Sequence, residues 1–470
     1  MKITIHDGNK EVRLSYTAEK VLLAQALDDA GIRQSRPCGG QGVCGKCRVL
    51  ANGKSVLACT TYATKDTYIH YIRKPADIQG ITAGYMDNFL KHPLVRQGYG
   101  LAVDIGTTTI AAYLYKFPEC QCQTAFCVPN TQAQFGADVI SRIDFCGNGG
   151  LETLHQRITD QIKRLAAKTP VAVYVITGNT AMLHILRNLD PSGLAAAPFI
   201  PESLFGEWVG SAYITRCVSA YVGGDLVMAI LASGMLKKRT ALLADIGTNG
   251  EMGLWHNGTL LCCSAAAGPA FEGAGISQGM TASPGAISKV WLEENRMRYE
   301  TIDSQKPAGI CGTGLLDAVW CMRKLGVLDE TGYLAEDYEI GDSGVYITPE
   351  DIRQVQLAKA AIRAGIDTLL YMSKIEAGDL EKFYIAGGFG SFIDQNSAAG
   401  IGLIPKACAA RAEAVGNGAG AGAAMVLQSW DCLEQSEKIA DMARTVELSG
   451  NAYFMERYVE SMLFETGENE

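Results

Sequence analysis

Dense basic stretches and membrane-length apolar runs are both missing from this chain. Lys and Arg number 41 against 50 Asp and Glu, a formal charge of −9, and the basic residues form no block. Nucleic acid is therefore a poor partner for it. No apolar run in the 470 residues approaches the ~20 needed to cross a bilayer. The opening Met1-Lys-Ile-Thr-Ile-His-Asp lacks a signal-peptide core, so a cytoplasmic protein without membrane association is expected. No Walker A sequence occurs, and the G-x-G-x-x-G spacing at Gly40, Gly42 and Gly45 falls among cysteines, so neither competes to hold a nucleotide.

The composition is that of a folded, multidomain protein. Hydrophobic residues make up 48% and charged residues 19%, outside the range of disordered chains. A chain of 470 residues exceeds one ordinary core, so two to four domains are expected. Fifteen cysteines stand out, because a reducing compartment disfavours disulfides and leaves thiols or metal ligands.

Four of them form one group. Cys38, Cys44, Cys47 and Cys59 are spaced C-x5-C-x2-C-x11-C, with Gly39, Gly40, Gly42 and Gly45 in the same loop. Three thiolates on a loop and a fourth beyond the next hairpin can surround a [2Fe–2S] cluster, and the glycines permit the wrap. A structural zinc site and plain thiols are the alternatives; zinc sites usually take two close Cys/His pairs, and only one C-x2-C is present. Cys120, Cys122, Cys127 and Cys146 are irregularly spaced with no nearby His, and are read as thiols. Vicinal Cys262-Cys263 is read the same way, on a strand with one side chain inward.

Residues 1–75 read as a small β-grasp unit. Strands at Lys2–Ile5 and Val12–Leu14 flank the turn Asp7-Gly8-Asn9, and Thr17 caps a helix from Ala18 to about Ala30, stopped by Gly31. After the Cys loop, Arg48–Ala51 and Ser55–Ala58 flank Asn52-Gly53, a hairpin signal. Residues 76–98 read as a linker.

Beyond it, Leu101-Ala-Val-Asp-Ile-Gly-Thr-Thr-Thr reads as strand, tight turn, strand, and Ala241-Leu-Leu-Ala-Asp-Ile-Gly-Thr-Asn repeats it. The second copy continues through Asn257-Gly258 into a three-strand meander. A repeat of this kind is expected of two related lobes, here 99–240 and 241–470. Gly106 and Gly247 let each chain reverse, so that Thr107, Thr108 and Thr109 in one turn, and Thr248 and Asn249 in the other, can face phosphate oxygens. Asp104 and Asp245 would then hold Mg²⁺ through water. A third element, Ile385-Ala-Gly-Gly-Phe-Gly-Ser-Phe, places Gly387 and Gly388 where adenine or ribose can approach. Gly416-Asn-Gly-Ala-Gly-Ala-Gly-Ala opens a final helix of small residues suited to packing between the lobes. Together these favour ATP binding.

At this point the chain resembles the actin/Hsp70/sugar-kinase superfamily and, more specifically, the reductive activators of corrinoid enzymes. The segments that carry the resemblance include Gly136-Ala-Asp-Val-Ile-Ser-Arg-Ile, Thr177-Gly-Asn-Thr-Ala-Met, Ser264-Ala-Ala-Ala-Gly-Pro-Ala-Phe-Glu-Gly and Ala282-Ser-Pro-Gly-Ala-Ile. Gly309-Ile-Cys-Gly-Thr-Gly-Leu-Leu-Asp-Ala, Ala386-Gly-Gly-Phe-Gly and the Val446-Glu-Leu-Ser tail extend it over nearly the whole chain. The fold it implies is a β-grasp [2Fe–2S] ferredoxin-like domain followed by a two-lobed, ribonuclease H-like ATPase.

The activity it implies is ATP-dependent transfer of one electron from the cluster to an inactive Co(II) corrinoid, restoring Co(I) on a methyltransferase-system corrinoid protein. An upstream reductant and a homodimer through the large domain are implied with it. Ser264 would offer an oxygen to cobalt from a loop running to Gly273, and Glu272 would position water at the γ-phosphate; close packing of small residues and a surface or structural carboxylate are the plain alternatives. The link between cluster and ATPase is shorter here than in longer relatives, which limits the reach of the cluster. A small-molecule kinase of the same fold, a passive electron carrier, and an activator of another low-potential enzyme are the rival readings.

Overall fold

The computed structural model describes residues 1–6, 11–30, 48–70, 92–136, 138–166, 169–387 and 393–465. Cys38, Cys44, Cys47 and their glycines, the Asp7-Gly8-Asn9 turn and Gly388 lie outside the described residues.

The amino-terminal unit is a five-stranded mixed sheet. Its order is Glu11–Ser15, Lys2–His6, Thr67–His70, Arg48–Ala51, Lys54–Leu57, with the second and third strands parallel. Asn52 and Gly53 turn the hairpin with positive φ, 49° and 78°, as an Asn-Gly pair does most readily. Ile3, Ile5 and Ile69 form its core with the helix residues Leu23, Ala26 and Leu27. That helix differs from expectation. It spans Leu23–Asp29, not 18–30, because Val21–Leu22 are extended and pair with Tyr62–Ala63. Leu23 and Ala24 then donate their N–H groups to Thr61 and Ala58, so the backbone is committed outside the helix until that point.

Two six-stranded sheets make up the rest, and they share one topology. The first runs Gln121–Pro129, Thr109–Phe117, Gly98–Ile105, Val171–Gly178, Ala212–Ile214, Glu207–Val209. The second runs Thr259–Ala265, Gly250–His256, Thr240–Ile246, Lys382–Ala386, Ala412–Gly416, with Ala443–Thr445 added beside its first strand. In each, three antiparallel strands of a meander are followed by two parallel ones, the order 3-2-1-4-5. The repeated Asp-Ile-Gly-Thr therefore occupies the same place twice, at the end of the innermost meander strand.

The lobes are joined by two helices, Gly224–Ser233 and Gly418–Gln428, in a core that draws Ala102 and Tyr113 from one sheet and Ala241, Leu243 and Leu260 from the other. A Cβ on Gly422 would lie 2.1 Å from the Met228 carbonyl oxygen, so this approach needs glycine. The Gly418 helix, expected to be the last, is followed by Trp430–Met442 and Ala452–Glu460. Residues 92–98 at the end of the expected linker pack onto this body. Leu94 donates to the Leu427 carbonyl, the His92 carbonyl accepts from Trp430, and Val95 is buried.

Both vicinal cysteines are buried, not one. Cys262 faces the inter-lobe core and Cys263 the core of the second lobe, because helices cover both faces of this strand. Among the described residues no helix is long and apolar enough to cross a membrane.

Candidate functional site

The two Asp-Ile-Gly-Thr turns are each closed by the glycine N–H, the first over one residue more than the second. In the first, Gly106 donates to the Thr109 carbonyl at 3.0 Å, and a Cβ on Gly106 would lie 2.7 Å from that oxygen. In the second, Gly247 donates to the Asn249 carbonyl at 3.2 Å. Thr109 and Asn249 thus close the turns through their backbones, which leaves Thr107, Thr108 and Thr248 as the hydroxyls nearest each apex.

A scaffold of side chains braces the first turn. Asn130 donates to the Gly106 carbonyl at 2.9 Å, and Asn179 to the Thr107 hydroxyl at 3.2 Å. Behind them Arg142 is completely buried, its guanidinium donating to the carbonyls of Thr107 at 2.5 Å and Gly136 at 2.9 Å. Burial lowers its pKa to about 10, so it stays charged at neutral pH and sets a positive field beneath the turn.

Thr108 and Thr248 both end on Glu272. Thr108 donates to one carboxylate oxygen at 2.6 Å and Thr248 to the other at 2.9 Å. One carboxylate thus ties the two turns, and the two lobes, together.

Beside this tie lies a group of acids, Glu251 buried and Asp104, Asp225 and Asp245 half-buried. Burial, the neighbouring charge of Asp225 and a hydrogen bond from Asn417 set the Asp104 pKa, which rises to about 7. Asp245 rises to about 8 through burial and the charges of Asp225, Asp104 and Glu272. Asp225, at the start of the Gly224–Ser233 helix, is pushed to about 6 by burial, and burial raises Glu251 well above the carboxylate range. Buried carboxylates with no cation beside them are costly, so this arrangement suits a divalent cation. Among the described residues no three His, Cys, Asp or Glu side chains converge closely enough to ligate one ion directly. Gly387, at φ +96°, passes so close that a Cβ would sit 2.7 Å from an Asp245 carboxylate oxygen and 2.6 Å from the Ile246 carbonyl. The backbone of the Ala-Gly-Gly element is thereby brought to the acid group.

Ser264 borders the acid group through its backbone pairing with Glu251. It sits on the strand Thr259–Ala265, and it lines a cavity of about 220 Å³ with Phe199, Ser219, Tyr221 and Val446. The Ser219 hydroxyl in that wall is buried without a hydrogen-bond partner. Cys59, the one described member of the cysteine group, is buried against the core of the amino-terminal unit.

Sequence reasoning assigned no role to Asp225, Glu251, Asn417, Asn130, Asn179 or Arg142. Gly-Gly-Asp before an apolar helix was the available signal for Asp225. Arg142 and Asn179 stood inside segments singled out for resemblance, and Asn417 inside the small-residue motif, yet their partners are distant in sequence.

Comparison with known proteins agrees with this architecture. A family model described as the C-terminal domain of RACo, the ASKHA domain, matches residues 239–470, and one described as the RACo middle region matches 99–238. The corrinoid activation enzyme RamQ of Eubacterium limosum is 33% identical over 422 residues, covering 79% of this chain and 71% of that protein. The [Co(II) methylated amine-specific corrinoid protein] reductase of Methanosarcina barkeri is 28% identical over 356 residues, 65% of this chain and 66% of that one. A solved structure titled reductive activator for corrinoid, iron–sulfur protein superposes with a TM-score of 0.72 at 27% identity, covering 98% of each chain.

Proposed function

The chain belongs to the RACo family, and from that premise we propose that it uses ATP to pass one electron to the Co(II) corrinoid of a methyltransferase-system corrinoid protein, returning it to Co(I). It is an enzyme of reductive activation with an ASKHA-type ATP-binding body. The observation that carries the reading is the convergence of Thr108 and Thr248 on one point beside four buried or half-buried acids, an arrangement suited to phosphate and a divalent cation.

Each residue then has a task. Thr107, Thr108, Thr109, Thr248 and Asn249, with Gly106 and Gly247 in the turns, receive the phosphates. Asp104 and Asp245 hold Mg²⁺ through water, and Gly387 with Gly388 takes the adenosine end. Glu272 positions the attacking water. Cys38, Cys44, Cys47 and Cys59 are the ligands of a [2Fe–2S] cluster in residues 1–75, and that cluster supplies a single reducing electron when bound. Residues 99–240 and 241–470 are the two ATPase lobes.

Reduction of Co(II) is uphill from such a donor, and each 59 mV of deficit is tenfold in a one-electron equilibrium. Contact with cobalt must therefore favour Co(I). The placement of Ser264 in a cavity walled by Phe199 and Tyr221 supports it as the residue that meets the corrinoid. The cluster needs an upstream one-electron donor. A homodimer through the large domain is supported by Tyr371, Met372, Met455 and Val459, all half exposed or more on two packed helices.

Anaerobic spectroscopy tests the reading. The reduced protein should convert the Co(II) spectrum of a corrinoid protein to that of Co(I) only when MgATP is added. Conversion at the same extent without nucleotide would refute the coupling.

A further inference from the structure

Glu272 uses both carboxylate oxygens on the same two hydroxyls that the two repeated turns offer to phosphate, 2.6 Å from Thr108 and 2.9 Å from Thr248. A threonine hydroxyl has one proton to give. Thr108 and Thr248 can donate to Glu272 or to a phosphate oxygen, but not to both. Charge sharpens the conflict, because Glu272 already adds to the negative field on Asp245, and a polyphosphate would add more.

The carboxylate sits on a segment anchored by Ala270 and Phe271 in the core of the second lobe. It closes the short turn Ala270–Glu272, flanked by Gly268 and Gly273 with φ of +77° and +85°. Gly268 donates to the Thr248 carbonyl, so the segment is tied to the second phosphate turn at two places. Its other end is Ser264, in the cavity with Phe199 and Tyr221. The phosphate turns and the partner-facing cavity are thus joined by one stretch of fewer than a dozen residues.

We propose that Glu272 is a clasp between the lobes that phosphate displaces, so that nucleotide entry releases the Ser264–Gly273 segment and sets the partner-facing cavity. This rests on the reading of the two threonine turns as the phosphate site. Nucleotide thereby reaches the partner surface through a single carboxylate. No long-range wire is required.

Calorimetric titration of MgATP into the wild type, Glu272→Ala and Glu272→Gln tests it, with hydrogen exchange over residues 265–275 as the second readout. Removing the competitor should tighten MgATP about tenfold in Glu272→Ala, and less in Glu272→Gln, which keeps a shape that can still accept one bond. In the wild type, exchange in the segment should rise on adding MgATP; in Glu272→Ala it should be high already and unresponsive. Equal or weaker binding by both variants, with the wild type binding normally, overturns the clasp and leaves the phosphate site standing. Failure of the wild type to bind MgATP overturns both.

Discussion

Thr108 and Glu272, 164 residues apart in sequence, meet through a 2.6 Å hydrogen bond that crosses from one lobe to the other. The bond has an energetic consequence for nucleotide binding. If Thr108 donates to Glu272 before phosphate arrives and to phosphate afterwards, its hydroxyl is satisfied in both states. Thr108→Val should then change MgATP affinity only slightly in the wild-type background, within about threefold, but weaken it about tenfold when Glu272 is already alanine. A double-mutant cycle by calorimetry measures this coupling; additive effects would deny it.

These acids predict a pH dependence with a definite sign. Asp225, Asp104 and Asp245 are raised to about 6, 7 and 8, chiefly by burial, against ~3.9 for an unfolded Asp. Between the unfolded value and these values the folded chain binds more protons than the unfolded one. Stability without divalent cation is therefore greatest at acid pH in this window and falls as pH rises from about 4 toward 8. Mg²⁺ should restore it, more strongly at pH 8 than at pH 5, because it replaces protons among the same carboxylates. Asp245→Asn should flatten the fall measured in EDTA. Thermal unfolding across pH, in EDTA and in Mg²⁺, checks each point, and a rise in Tm with pH in EDTA would contradict the assignment.

Much of this arrangement was legible in the sequence, and the remainder was hidden for a physical reason. The repeat was readable because each lobe opens with a meander whose tight turn needs Gly106 or Gly247, and local turn chemistry writes itself in consecutive residues. The short helix at Leu23 was misread because Val21–Leu22, inside the expected helix, obey a distant pairing with Tyr62–Ala63 that no local pattern encodes. Asp225 and Asn417 escaped for the same reason: their meaning comes from Asp104, brought to them only by the fold. Glu272 was legible as an acid near phosphate, but its grip on both threonines was not.

The amino-terminal cysteines and the ATPase body should fail independently. Cys59→Ser removes one of the four thiolates expected to hold the cluster, from a position buried against the domain core. After anaerobic reconstitution it should hold much less iron and show a weakened or shifted visible spectrum, with electron transfer to the corrinoid protein lost. MgATP affinity should match the wild type, because the nucleotide turns lie in other sheets. Unchanged iron content in Cys59→Ser would remove this residue from the ligand set.

Asn417 separates the structural demands of the site from the electrostatic ones. Its carbonyl oxygen accepts from Gly420 at 2.7 Å, capping the inter-lobe helix, while its amide nitrogen donates to Asp104 at 2.9 Å. Alanine removes both contacts. Asn417→Ala should lose about 1 kcal/mol of helix-cap energy at every pH and raise the Asp104 pKa further, since the amide bond lowers it. Aspartate caps a helix as well as asparagine does, but it turns the donor into another acid facing Asp104. Asn417→Asp should therefore fold almost normally near pH 5, where the pair shares protons, and lose stability as pH rises through neutrality. Mg²⁺ should rescue Asn417→Asp and leave the deficit of Asn417→Ala in place. Parallel pH profiles for the two variants would mean that Asn417 acts only as a cap and that Asp104 carries no charge that matters at neutral pH.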